Sequence, residues 1–162
     1  MSVSIKKANQ HDFEIIANLA KYIWNHHYVP IIGIEQVNYM LEKIYSKESL
    51  LEQISLKKHD FYLVVLNDLP VGFISISFEN ITDLWIHKFY ISQDYQGKGF
   101  GEKVFYEIIK KINEPKQIRL TVNRQNYKSI NFYFKLGFKI EKVADFDIGN
   151  GYFMNDFVML KK

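Results

Sequence analysis

Val3 and Ile5 alternate with polar neighbours, which predicts a short opening strand. Asn9 is suited to capping a helix, and Ile16, Leu19, Ala20 and Ile23 then recur at helical spacing. After Pro30 and Gly33 the spacing returns at Val37, Met40, Leu41 and Ile44, and Leu50, Leu51 and Ile54 add a further helical turn or two. The period then changes. Phe61 to Leu66 and Val71 to Phe78 are rich in branched and aromatic residues, and Asn67-Asp68 forms the turn of an antiparallel pair. Leu84 to Ile91 follows as a third strand of the meander. Val104, Phe105, Ile108, Ile109 and Ile112 mark one face of a helix, Ile118, Leu120 and Val122 a strand, and Ser129 to Leu136 a helix closed by Gly137. Phe138 to Phe146 and Tyr152 to Leu160 form a hairpin around Gly149-Asn150-Gly151.

This order predicts one α/β domain over residues 1–162, with a mixed, mostly antiparallel sheet flanked by helices. The helix after Gly101 is the crossover between the third meander strand and the Ile118 strand, so those two strands are expected to be parallel.

Composition narrows the function classes. The chain has 162 residues, of which 48% are hydrophobic and 24% charged, so it folds into a globular domain with a sizeable core. It contains no cysteine, which excludes disulfides, thiolate metal sites and a cysteine nucleophile. The net charge is +3, with Lys and Arg scattered instead of lying along a stripe, so a nucleic-acid surface is not expected. No apolar run approaches the ~20 residues that span a bilayer, and the first residues lack the apolar core of a signal peptide, so a cytoplasmic protein with no membrane partner is expected. Neighbouring His26 and His27 do not face one way on a helix, so no metal is expected.

The sharpest chemical feature is Gln96-Gly97-Lys98-Gly99-Phe100-Gly101, between the third meander strand and the Val104 helix. Alternating glycines let the backbone turn tightly and leave its surface bare. The helix-start N–H groups then point outward, with the helix dipole behind them, and form an anion site suited to a pyrophosphate. Lys98 adds charge at the rim. A Walker loop needs Lys-Ser/Thr after its last glycine, and a dinucleotide fingerprint needs glycine at position 102, where this chain has Glu102.

These residues resemble the Gln/Arg-x-x-Gly-x-Gly/Ala signature of the GNAT superfamily of acyl-CoA-dependent N-acetyltransferases. The segment from Asn126 through Ser129, Ile130, Tyr133, Lys135 and Leu136 to Gly137-Phe138 resembles a second family motif in the expected order. Phe89-Tyr90-Ile91 is similar to the hydrophobic strand before the signature. The resemblance implies a sheet splayed at the cofactor site. Acetyl-CoA would lie along Phe89, Tyr90 and Ile91, its pyrophosphate on the N–H groups of residues 97–101, with Gln96, Asn126 and Ser129 as further contacts. It implies direct attack of a primary amine on the thioester, with Tyr133 in the position of the general acid.

An alkylammonium has a pKa of ~10.4, so freeing its amine at pH 7 costs about 4.6 kcal/mol. Some family members carry a glutamate on the third meander strand, but the matching residue here is Trp85. His87, on the same strand face, is the expected base, with Asp83 and Glu79 as weaker candidates acting through water. Trp24 and Tyr28 are the expected acceptor-binding residues, because aromatic faces hold cations. Glu35, Glu42 and Asp147 add negative charge suited to a polyamine. Residues 24–41 also resemble a bacterial diamine and polyamine acetyltransferase-like group. The acceptor is expected to be a small-molecule amine or a protein amino group. The missing strand glutamate motivates an alternative, an acyl-CoA-binding sensor without turnover. The apolar run Phe157-Val158-Met159-Leu160 reads as an edge strand that would pair with a second copy, compatible with a homodimer.

Overall fold

The computed structural model describes residues 2–162. Its seven strands are β1 (Val3–Lys7), β2 (Asp60–Leu66), β3 (Leu69–Phe78), β4 (Asp83–Ile91), β5 (Gln117–Asn123), β6 (Lys139–Gly149) and β7 (Tyr152–Lys161). The helices are α1 (Phe13–His27), α2 (Val29–Ile32), α3 (Ile34–Tyr45), α4 (Lys47–Ser55), α5 (Phe100–Lys111) and α6 (Tyr127–Lys135). The chain divides into two compact units, Met1–Ser77 with Lys88–Glu114, and Phe78–His87 with Pro115–Lys162.

In the first unit the strands follow the order β1-β2-β3-β4. β1 pairs with β2 and β2 with β3, both antiparallel. Asn67 and Asp68 take φ of 50° and 66°, as a tight hairpin turn requires. A register shift after Val64 lets Pro70, which has no N–H to donate, sit opposite Val65. Asn9 caps a short 3-10 turn ahead of α1 in a reciprocal capping box with Asp12. Ser46 caps α4 by accepting from the Ser49 N–H at 3.2 Å. The sequence reading had no counterpart for α2, whose four residues span the Pro30 break between the first two expected helices.

Two buried groups hold this unit. Val64, Leu66, Val71, Ile91, Phe100 and Val104 form one cluster, joining β2, β3 and the end of β4 to α5. The second is aromatic. Trp24 stands 4.8 Å from Tyr28, 5.8 Å from Tyr45 and 5.9 Å from Tyr90 between ring centroids, and Phe73 stands 5.6 Å from Tyr90. Tilted and edge-on rings of this kind add to what their area contributes.

In the second unit the order is β4-β5-β7-β6. β4 and β5 are parallel, from Asp83↔Gln117 to Ile86↔Leu120, as the crossover demands. β5 pairs with β7, and β7 with β6, antiparallel. The Phe157–Leu160 run is therefore not an edge strand. It lies between β5 and β6, with Val158 and Met159 buried, and it no longer argues for pairing with a second copy. The outer strand is β6, whose charged residues Lys139, Glu141, Lys142, Asp145 and Asp147 suit an exposed edge.

Candidate active site

The end of β4 and the turn that follows belong to the first unit. Gly72 on β3 sits so close to β4 that an added Cβ would lie 2.2 Å from the Tyr90 carbonyl oxygen. The Ser92 N–H donates to the Val71 carbonyl at 2.8 Å. Ser92 caps a 3-10 turn over Gln93–Tyr95, and the Tyr22 hydroxyl donates to Asp94 at 2.8 Å. Gln96 then doubles back, and its Nε2 donates to the Ile91 carbonyl at 2.9 Å. The side chain expected to touch cofactor thus ties the loop to the strand end.

Gly97 and Gly99 have φ of 77° and 79°, and nothing lies within 4 Å of where a Cβ would stand on either. Gly99 is the residue before α5, and Phe100 anchors the helix start in the core at 5% exposure. Phe100 is therefore turned inward, and what it can offer a ligand is backbone. Lys98 is exposed between the two glycines. The first turn of α5 presents N–H groups with no intrahelical acceptor toward the open side of the turn. Bare backbone at a helix start beside an exposed ammonium is the chemistry that an anionic group would need there.

Two expected acceptor residues are buried in the same unit. Trp24 and Tyr28 are 4% and 6% exposed and take part in the aromatic cluster that ends on Tyr90. Glu35 and Glu42 are exposed on α3. Lys88, which the sequence reading passed over, lies on β4 with its ammonium donating to Gln53 Oε1 at 2.6 Å and 5.3 Å from the Phe61 ring centroid. Burial, with Lys57 second, lowers its pKa to about 7.

The second unit holds the other motif. Asn126 is 3% exposed, and its side chain caps α6 by accepting from the Ser129 N–H at 3.2 Å. Both residues flagged in the second motif thus start α6. At the far end the Phe138 N–H reaches back to the Tyr133 carbonyl at 3.0 Å, and Gly137 takes φ 96°. Tyr133 is 8% exposed, with its ring 5.6 Å from that of Phe138. His87 is exposed, stacked on Trp85 at 6.5 Å and 13°. The indole N–H of Trp85 donates to Glu79 at 3.3 Å. Asp147 accepts from the Gly149 N–H at 2.9 Å and so braces the hairpin turn.

Asp156 on β7 was also passed over. It is 6% exposed, and burial raises its pKa to about 6, against the opposing influence of the Thr121 hydroxyl and Arg124. A charged residue at one position of an otherwise apolar strand run was the only signal available for it.

Among the described residues no group of three or more His, Asp or Glu stands where it could hold a metal ion. No described helix is long and apolar enough to cross a membrane.

A crossover from β4 to β5 through a bare glycine turn defines an α/β protein. Residues 23–138 match the acetyltransferase (GNAT) family, and the chain belongs to that family as an N-acetyltransferase. It is 30% identical over 170 aligned residues to the spermidine N(1)-acetyltransferase of Thermoplasma acidophilum, covering 100% of this chain and 98% of that protein. Among solved structures, the PaiA N-acetyltransferase of Thermoplasma acidophilum in complex with coenzyme A superposes with a TM-score of 0.82 at 28% identity, covering 100% and 99% of the two chains. A GCN5-related N-acetyltransferase structure from Rhodopseudomonas palustris shares the fold at a TM-score of 0.81 and 16% identity, covering 100% and 96%.

Proposed function

We propose that the protein transfers an acetyl group from acetyl-CoA to a primary amine, with polyamines as the acceptor class. The observation that carries the cofactor assignment is the turn at Gly97 and Gly99, left-handed and bare at the head of α5. The acceptor class rests on the full-length likeness to a spermidine acetyltransferase.

In this reading the N–H groups of residues 97–101 and the Lys98 ammonium bind the diphosphate. The backbone at Phe89, Tyr90 and Ile91 holds the pantetheine arm, and Gln96 keeps that strand end and the turn in one piece. Asn126 and Ser129 are further cofactor contacts. The bound acetyl-CoA supplies an activated acyl group. Trp24 and Tyr28 act through Tyr90, setting the shape of the acceptor side from behind. Tyr133 donates a hydrogen bond to the leaving thiolate. A tyrosine pKa of ~10 against ~8.5 for a thiol makes full proton transfer uphill by about 2 kcal/mol, so stabilisation of the anion is its main contribution. His87 takes up a proton from the attacking nitrogen.

Replacing Tyr133 by Phe is expected to lower kcat tenfold or more while coenzyme A affinity measured by calorimetry stays within twofold, in the range usual for such groups. An unchanged kcat removes Tyr133 from the mechanism. The function as a whole is tested by thiol release with acetyl-CoA over putrescine, spermidine, spermine, butylamine and a peptide with a free N-terminus. Turnover is expected to be fastest on the polyamines, with kcat/KM at least about tenfold above butylamine, a difference of one added ionic contact. Saturable coenzyme A binding with no thiol release on any amine would overturn it.

A further inference from the structure

Gly97 and Gly99 stand at φ of 77° and 79°, a conformation that glycine enters and leaves freely. A glycine turn that must aim its N–H groups at a diphosphate therefore loses backbone freedom on binding, unless the chain on each side already holds it. On the helix side Phe100 does so, packed in the cluster of Val64, Leu66, Val71, Ile91 and Val104. On the strand side the chain leaves the sheet at Ile91 and makes the 3-10 turn Gln93–Tyr95 before it reaches Gln96.

That turn is fixed at its middle residue. Asp94 is exposed, and its Oδ2 accepts from the Tyr22 hydroxyl at 2.8 Å and from the Ser92 hydroxyl at 3.3 Å. Ser92 lies two residues from Asp94, so their bond shapes the turn itself. Tyr22 lies 72 residues away on α1, so its bond joins the turn to another element. α1 is a rigid post for that purpose. Its Ile16, Ala20, Ile23 and Trp24 are buried, and the Trp24 ring stands 5.9 Å from that of Tyr90 near the end of β4. One helix of the first unit thus grips the strand end through Trp24 and the turn beyond it through Tyr22.

Burial accounts for little of this arrangement, because Tyr22 is 52% exposed. The contact persists across the neutral range. The hydrogen bond to Asp94, with the charge of that carboxylate second, raises the Tyr22 pKa, so the hydroxyl keeps its proton and remains a donor. A surface turn can open without unfolding the domain, so loss of the bond acts on the turn and not on global stability.

We propose that Tyr22 is a positioning residue for the cofactor: by holding Asp94 it keeps the chain ahead of Gly97 in the shape that receives the diphosphate of coenzyme A. The diphosphate does not react and is held alike before and during acyl transfer, so the effect falls on cofactor affinity and not on the chemical step. A hydrogen bond of ordinary net worth corresponds to roughly three- to tenfold in affinity. This inference rests on the cofactor part of the proposed function.

The test is a double-mutant cycle on coenzyme A affinity, measured by calorimetry, with kcat and KM read by thiol release from acetyl-CoA and spermidine. Tyr22→Phe is expected to raise the coenzyme A Kd about threefold or more, and the KM for acetyl-CoA with it. Its kcat and spermidine KM are expected to be unchanged, and its Tm to stay within about 2 °C of wild type. In an Asp94→Ala background the same substitution is expected to change Kd less than about twofold, because the acceptor is already gone. Any effect of the Asp94 charge on the diphosphate is common to both members of that pair and cancels. Asp94→Asn, whose side-chain oxygen still accepts, is expected to keep the response to Tyr22→Phe. A change under about threefold in the wild-type background, or of about twofold or more beside Asp94→Ala, overturns this inference. Saturable coenzyme A binding with no turnover of any amine overturns the proposed amine transfer alone, and the calorimetric cycle still decides this inference. A wild type that binds no coenzyme A overturns both.

Discussion

Gly72→Val is expected to cost more than about 3 kcal/mol of stability, lowering Tm by roughly 8 °C or more for a chain of this size. A Cβ at this position would lie 2.2 Å from the Tyr90 carbonyl oxygen, 3.0 Å from Ile91 Cα and 3.2 Å from the Tyr90 carbonyl carbon. All three are backbone atoms of the neighbouring strand, so no rotamer change relieves the clash, and β3 would have to part from β4. The displaced segment carries the groups proposed to hold the pantetheine arm, so coenzyme A affinity should fall with stability. Gly99→Ala is the control. Gly99 is left-handed at φ 79° and ψ 6°, with nothing within 4 Å of its Cβ site, so only backbone strain of about 1 kcal/mol is expected there. Thermal unfolding followed by circular dichroism separates the two. A Gly72→Val Tm within 2 °C of wild type would show that the close approach is not needed.

The second large effect is pH-dependent. The Lys88 ammonium is held in the protein beside Gln53 and the Phe61 ring, and burial followed by Lys57 brings its pKa from 10.5 to about 7. The folded value lies below the unfolded one. Between these two values the unfolded chain holds a proton that the native chain has released, so stability rises with pH across that window. Below pH 7 the native state carries the buried charge at full cost. Lys88→Met keeps the length and apolar contact of the stem and removes the charge. The variant is expected to be more stable than wild type by about 2–4 kcal/mol at pH 6. The gain should shrink as pH approaches 10.5 and end slightly negative, because Gln53 Oε1 loses its donor. Burial, with Lys88 and Lys57 next in order, also holds His59 at about 4, so wild-type stability falls further as pH drops from 6.5 toward that value. Urea unfolding of both proteins at pH 6, 8 and 10 measures this. A difference that is the same at all three would mean that Lys88 does not titrate with folding.

A variant that removes a lysine from β4 and gains stability would indicate that the residue is kept for some reason other than folding. Nothing in the composition or spacing marks Lys88. In the sequence it is one charged residue in a strand otherwise read as apolar, and its enclosure depends on Gln53, 35 residues away on α4.

Local patterns carried most of the secondary structure. The branched and aromatic runs of β2 and β3, the Asn67-Asp68 turn, the glycine turn before α5 and the Gly149-Asn150-Gly151 hairpin are each set by residues within a few positions of one another. Their chemistry, left-handed glycine or asparagine and the strand preference of branched and aromatic residues, acts at that range. The cofactor-side motif was legible for the same reason, since a cradle of bare backbone needs only consecutive residues. Strand order was not legible. β7 lies inside β6 because its apolar run Phe157–Leu160 finds β5, whereas the charged β6 tolerates water. That is a choice between partners distant in the chain, and either hairpin arm satisfies the local signals equally. The close contact at Gly72, the low-pKa ammonium of Lys88 and the enclosed carboxylate of Asp156 arise in the same way. Burial and the loss of water are properties of what surrounds a residue in space. The chain order therefore specifies which elements form and where the bare glycine turn falls, and the tertiary structure decides which charges are forced out of water and so carry shifted proton affinities.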